Sequence, residues 1–264
     1  MSKITSVFYL LVSIILFTGC EKVVDLDLQS AESKLVVEAN ITNNPGPYSV
    51  KLTKSVPFDD ASIYPSVSNA IVTISDNEGQ KEKLSYTSDG VYKTKLLKGV
   101  EGRTYTLHIE VDGKTYNAQS TMPQKVELTG IKLSVLKFGG QERNVLFPQY
   151  TDPLDFGNNY NFVLTVNGSK KDIYVLWNDN TNNGLTNERP VGGPDVELES
   201  GDEVLLEMQG VDNMVYNYFF TLSQLAGGGP GGGTTPTNPP TNISGGALGI
   251  FSAHISHSKS IKIP

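Results

Sequence analysis

The sequence predicts a mainly β chain: an N-terminal immunoglobulin-like β-sandwich over residues 34–123, then a second β-rich domain over residues 124–264 that carries one amphipathic helix. Three observations lead there. Apolar residues recur with period two in many short runs, turn-forming residues separate those runs, and a single stretch repeats its apolar residues at helical spacing. Composition agrees, with 26 Gly and 14 Pro in 264 residues placed where strands would need turns. A chain this long holds two domains of ordinary size, each able to bury its own core.

Residues 1–19 read as a lipoprotein signal peptide. Lys3 gives the positive start, Val7 to Phe17 the apolar middle, and Gly19 the small residue before the chain's one cysteine, Cys20. The apolar run is too short to span a bilayer, which takes about 20 residues. The expected chemistry is acylation of the Cys20 thiol, cleavage before it, and attachment to a membrane through the lipid. Several acyl chains hold better than one, because each buried methylene contributes about 0.8 kcal/mol. The plainer alternative is an ordinary secretory signal in which the cysteine is incidental. Residues 20–33 are polar and acidic and read as a tether, with Val24, Leu26 and Leu28 as the trace of an edge strand.

From Lys34 the alternation is clear. Leu35, Val37, Ala39 and Ile41 fall on one face of a half-buried strand. Asn43-Asn44-Pro45-Gly46-Pro47 breaks it, and strands are expected again at Tyr48 to Ser55, Ala70 to Ile74, Leu84 to Tyr86 and Val91 to Leu96. Tyr105, Leu107, Ile109 and Val111 share a face ahead of Asp112-Gly113, a two-residue hairpin signal, with Lys114 to Ser120 as the returning strand. Short strands at this spacing without a helix are the pattern of a sandwich. Met122-Pro123 closes it.

The second domain opens with strands at Val126 to Leu136, Arg143 to Tyr150, Tyr160 to Asn167 and Ile173 to Trp177. Met214, Tyr218, Leu222 and Leu225, flanked by Val215 and Phe219, predict the helix over Asp212 to Leu225. Gly227 to Asn242 is a Gly/Pro-rich run expected to be a mobile loop. Gly246 to Ala253 reads as a returning strand, and Ile261 with Ile263 as a last short one.

The formal charge of −7 is spread along the chain, so no basic patch exists to neutralise phosphates and no nucleic-acid partner is expected. With Cys20 the sole cysteine, the mature fold has no disulfide and no thiolate site. His108, His254 and His257 do not make a metal site. The last two would point to opposite faces of a strand, and the surrounding sequence reads as strand and exposed tail. Asp179-Asn180-Thr181-Asn182-Asn183-Gly184 begins like a calcium loop, but the twelfth position is Pro190 where a bidentate glutamate is needed, which leaves an Asn/Gly-rich surface turn as the other reading. No G-x-S-x-G elbow surrounds any serine. The carboxylate pairs Asp59-Asp60 and Glu197/Glu199 sit in polar turns or alternating strands, where a solvated face accounts for them. Trp177 with Tyr174, Tyr216 and Tyr218 offers either an aromatic platform for a sugar or peptide, or core packing. No catalytic residue, metal or cofactor is assigned.

Several stretches together carry a resemblance. They are Leu35-Val36-Val37-Glu38-Ala39, Gly102-Arg103-Thr104-Tyr105-Thr106-Leu107 with Tyr116-Asn117-Ala118, Met122-Pro123, Asp152-Pro153 with Asn159-Tyr160, and above all the run from Asn238 to Ala253. The arrangement resembles a family of Bacteroidota outer-membrane lipoproteins catalogued as domain of unknown function 4249. That resemblance implies a protein of the outer membrane, typically encoded beside TonB-dependent receptors, and it brings no catalytic residues. The expected function is therefore a non-enzymatic, cell-surface accessory to a TonB-dependent receptor in ligand capture or uptake. A structural or adhesive surface protein is the alternative. Partner or ligand contacts are expected in the second domain at Tyr174, Trp177, Asp179 and Asn183, with the long loops 179–193 and 227–242 around them, since long loops in compact domains are commonly functional or disordered.

Overall fold

The computed structural model describes residues 32–57, 63–181, 183–192, 196–226 and 238–264. The signal peptide, Cys20, residues 20–31 of the tether, Asp59-Asp60 and residues 227–237 of the Gly/Pro-rich loop lie outside the described residues.

The chain is mainly β, with its strands in sandwich-like sheets. β1 (Leu35–Thr42) pairs antiparallel with β2 (Ser49–Lys54), which continues to β6 (Val91–Lys93) and β5 (Ser85–Tyr86). Facing this sheet is another, built of β3 (Ile71–Asp76), β4 (Lys81–Lys83), β7 (Thr104–Val111) and β8 (Lys114–Thr121) in the order β4-β3-β7-β8. The alternation seen in the sequence is what joins them. Val37, Ile41 and Leu52 from one sheet and Val72, Leu107 and Ile109 from the other are fully buried in one core. The β7–β8 hairpin turns at Asp112-Gly113, both at positive φ, with Val111 opposite Lys114.

The later strands are β9 (Gly130–Phe138) and β10 (Gln141–Gln149), which form a hairpin, then β11 (Asn159–Val166), β12 (Ser169–Lys170), β13 (Val175–Asn178), β14 (Glu203–Val211) and β15 (Leu248–Lys262). The first of these starts later than the sequence suggests, because Val126 and Leu128 bury their side chains from a segment outside the strand. A second core forms where Leu146 and Ile131 of the hairpin meet Phe162, Leu164, Leu206 and Met208.

One strand connects these halves. β15 runs fifteen residues without a break, so Ile261 is part of the same strand as Phe251 and not of a separate short one. Its first half pairs parallel with β1 (Ala39 opposite Phe251) and its second half antiparallel with β14 (Met208 opposite His257). The result is a nine-stranded sheet in the order β12-β11-β14-β15-β1-β2-β6-β5, with β13 on β11. Phe251, Ala253 and Ile255 belong to the first core, so the chain that builds that core extends beyond residue 123 to the 243–255 region. Gly249 makes the close approach possible. At φ +94 a side chain is strained, and a Cβ would collide with the Val37 carbonyl.

The opposite face of this sheet carries the helix α1 (Asn213–Ala226), which packs against β11, β13 and β15. It buries Val215 and Tyr216 with Ile250 and Val211. Of the stripe the sequence suggests, Tyr218 with the flanking Val215 and Phe219 does meet the sheet, joined by Tyr216, while Met214 and Leu225 are exposed. Asp212 caps it, with Oδ1 accepting from the Val215 N–H at 2.9 Å.

Candidate functional site

Beside α1, the same sheet face holds a row of polar side chains on four neighbouring strands. Side chains alternate along a strand, so the pairing registers Asn40–Ser252, Thr42–His254, Gln209–Ser256 and Asn161–Gln209 set these residues side by side. All but Ser256 form the floor of a pocket of about 400 Å³ whose walls include Tyr174, Phe219 and the segment Lys170-Lys171-Asp172. That volume falls within the roughly 300–1,000 Å³ of small-molecule sites. Another hollow of about 400 Å³ at the far end of the sheet, around Val204, Leu205 and Ile261, is more open and has few polar groups converging on it.

The floor is held by hydrogen bonds. Asn161 Nδ2 donates to Gln209 Oε1 at 2.8 Å, Gln209 Nε2 donates to Glu207 Oε1 at 3.1 Å, and Ser256 Oγ donates to the same oxygen at 2.7 Å. Ser252 Oγ lies 2.9 Å from His254 Nδ1. Among the described residues nothing hydrogen-bonds His254 Nε2, the ring's second nitrogen. Burial holds the His254 imidazole below its ordinary value, against the opposing pull of Glu207 and Ser252, which favours the neutral ring that can donate or accept. Tyr174 and Phe219 stand with ring centroids 6.5 Å apart.

His254 is therefore 5 % exposed, contrary to the exposed tail expected from the sequence: continuous pairing of β15 puts it in the centre of the sheet. His257 is also engaged, on the other face. Its Nδ1 accepts from the Leu128 N–H at 2.9 Å, and Nε2 lies 3.2 Å from Glu127. His108 bridges Asn117 at 2.7 Å and Glu110 at 2.9 Å.

The four residues expected to contact a partner are not on one surface. Tyr174 lines the pocket. Trp177 faces the opposite side of the sheet, its ring 4.6 Å from Phe162 and the Arg189 guanidinium 4.7 Å above it, so an aromatic platform joining Tyr174 and Trp177 does not form. Tyr216 and Tyr218 are on α1 itself and pack against the sheet. Asp179 is buried, and its Oδ2 accepts from the backbone N–H groups of Gly157 (2.5 Å) and Asn158 (2.9 Å). Asn183 donates to the Leu154 carbonyl at 2.9 Å. The 179–184 turn thus commits polar groups of Asp179 and Asn183 to pinning the neighbouring 154–158 loop.

Next to that loop lies a buried polar cluster. Tyr160 donates to Asp152 Oδ1 at 2.5 Å, while among the described residues Asp152 Oδ2, Tyr150 Oη and Arg189 Nε are buried with no hydrogen-bond partner. Burial raises the Asp152 carboxyl above its ordinary value, with Asp179 adding to the effect, and pushes the Tyr150 hydroxyl up to about 12.

Asn161 and Gln209 are not singled out by the sequence, and His254 is weighed there only as a metal ligand. Their signal is a polar residue at an alternating position in an otherwise apolar strand, and it becomes a site only when register aligns three such positions.

A family model described as domain of unknown function (DUF4249) matches residues 21–260. No curated protein matches the chain. Among solved structures, a two-domain fibronectin type III segment from chicken tenascin is 13 % identical and covers 88 % of this chain and 99 % of its own. Its TM-score is 0.27, too loose a likeness to bear on how these strands are arranged.

Proposed function

This chain belongs to the DUF4249 family, and from that premise we propose that it is an outer-membrane-anchored, cell-surface lipoprotein that assists a TonB-dependent receptor in ligand capture without itself catalysing a reaction. The observation that carries the reading is the Gly19-Cys20 junction at the end of an apolar run with a positive start. The family match supports it by beginning at residue 21, directly after the acylated cysteine. The body following the tether divides the work. Residues 34–123 with the first half of β15 act as the spacer, and the later half, with the pocket beside α1, acts as the ligand-facing part.

Labelled palmitate and membrane fractionation test the anchor. Wild-type protein takes up label and sediments with the outer membrane, whereas Cys20→Ala takes up none and is released. Equal labelling of both proteins contradicts the reading.

A further inference from the structure

We infer that the pocket beside α1 is a binding site for a neutral, hydroxyl-rich small molecule of monosaccharide or disaccharide size. As the cargo of an uptake accessory this rests on the reading above; as a site it rests on the pocket alone.

The face of a sheet that a helix packs against is ordinarily apolar, since buried polar groups are costly without partners. Here Asn161, Ser252 and His254 are all buried beside α1, at 6 %, 2 % and 5 % exposure, in one row. The hydrogen bonds among them and Gln209 use some of their capacity and fix their orientation. Among the described residues His254 Nε2 and Asn161 Oδ1 have no hydrogen bond, and both residues line the pocket together with Asn40 and Thr42. Amides, hydroxyls and a neutral imidazole each donate or accept, which is the matching chemistry for vicinal hydroxyls that do both.

The wall supplies the second half of the match. Tyr174 and Phe219 present aromatic surface next to the polar floor, suited to the apolar C–H face of a sugar ring, and rigid aromatic walls with a few fixed polar groups are how small-molecule sites obtain orientation. Charge argues for a neutral ligand. Lys170 and Lys171 at the rim are offset by Asp172 beside them and by Glu207 behind Gln209, so neither sign of ligand is favoured. A peptide would be expected to seek an unpaired strand edge, whereas this pocket lies on the interior strands β1, β15, β14 and β11 of the sheet.

The test is saturation-transfer NMR and calorimetry on the full chain in detergent. The probes are glucose, galactose, mannose, maltose and cellobiose, with triglycine and inorganic phosphate as controls. At least one saccharide is expected to bind, with transfer to its ring protons. Tyr174→Ala and His254→Gln should each weaken it about tenfold or more, a change of about 1.4 kcal/mol, while Leu205→Ala at the other hollow leaves it unchanged. Tyr174 is at the surface, so its variant is informative even where His254→Gln folds poorly. No saccharide binding, binding of triglycine or phosphate instead, or saccharide binding unaffected by Tyr174→Ala overturns the inference. Receptor recovery from membranes without saccharide binding defeats this inference and leaves the uptake reading standing; saccharide binding without a receptor does the reverse.

Discussion

Ser252 and His254 stand two residues apart on one face of β15, with Ser252 Oγ 2.9 Å from His254 Nδ1, so the buried imidazole is held by one nitrogen, and both residues line the pocket. Its position follows from the pairing of β15 with β1 on one side and β14 on the other, which carries a polar residue to the middle of a nine-stranded sheet.

That burial has a pH signature. The folded chain holds His254 below its ordinary value of 6.5 chiefly by burial, so the unfolded chain takes up a proton that the folded chain resists. Stability contributed by the neutral ring is complete above pH 6.5 and is lost as pH falls toward the folded value. Urea unfolding at pH 7.5 and 5.5 should show the wild type losing more stability than His254→Gln. His108, raised by Asn117 and Glu110, acts in the opposite sense but is common to both proteins and cancels. Parallel pH curves would contradict the assignment.

Asp212 links the helix to the sandwich. Its Oδ1 caps α1 while Oδ2 accepts from Ser120 Oγ at 2.6 Å and from the Thr121 N–H at 3.0 Å. Ser120 Oγ in turn accepts from the Ala253 N–H at 2.9 Å. Losing a cap costs about 0.5–2 kcal/mol, and stranding a buried donor about 1–3 kcal/mol. Asp212→Ala should therefore lower unfolding free energy by about 2 kcal/mol, and Ser120→Ala by a similar amount because Ala253 N–H is left unpaired. A change under about 0.5 kcal/mol in both would show that the contacts are not made in solution.

Two buried tyrosines should behave differently. Tyr160 donates to Asp152, so Tyr160→Phe strips a buried carboxyl of its donor and should cost about 1–3 kcal/mol. Among the described residues the Tyr150 hydroxyl has no partner at hydrogen-bonding geometry, and only the neighbouring Arg189 guanidinium acts on it, so Tyr150→Phe should cost clearly less than Tyr160→Phe. Chemical denaturation of both variants decides the point; a loss with Tyr150→Phe equal to that with Tyr160→Phe contradicts this arrangement.

Local signals in the sequence survive into the fold where local physics controls them. The alternation at Leu35 to Ile41 and Tyr105 to Val111 became β1 and β7, Asp112-Gly113 made its hairpin, and the helical spacing after Asp212 became α1. What failed depended on distant pairing. Ser256, His257 and Ser258 read as a polar tail because nothing nearby tells that β14 lies alongside. β14 itself carries Val204, Leu206 and Met208 on one face, a period-two signal that was there to be used. Asp179 looked like an exposed ligand, yet its carboxylate is committed to Gly157 and Asn158 across 21 residues or more of chain. The pocket was least legible, since Asn161, Gln209 and His254 come together only through the register of three strands.

The proposal that this chain is lipid-anchored and works with an outer-membrane receptor is tested most directly by co-purification from native membranes. Tagged wild-type protein, extracted in mild detergent, should recover a large TonB-dependent β-barrel identified by mass spectrometry, and Cys20→Ala expressed at the same level should recover much less. Repeated recovery of no such barrel, with the wild-type protein folded and at the membrane, would contradict the account.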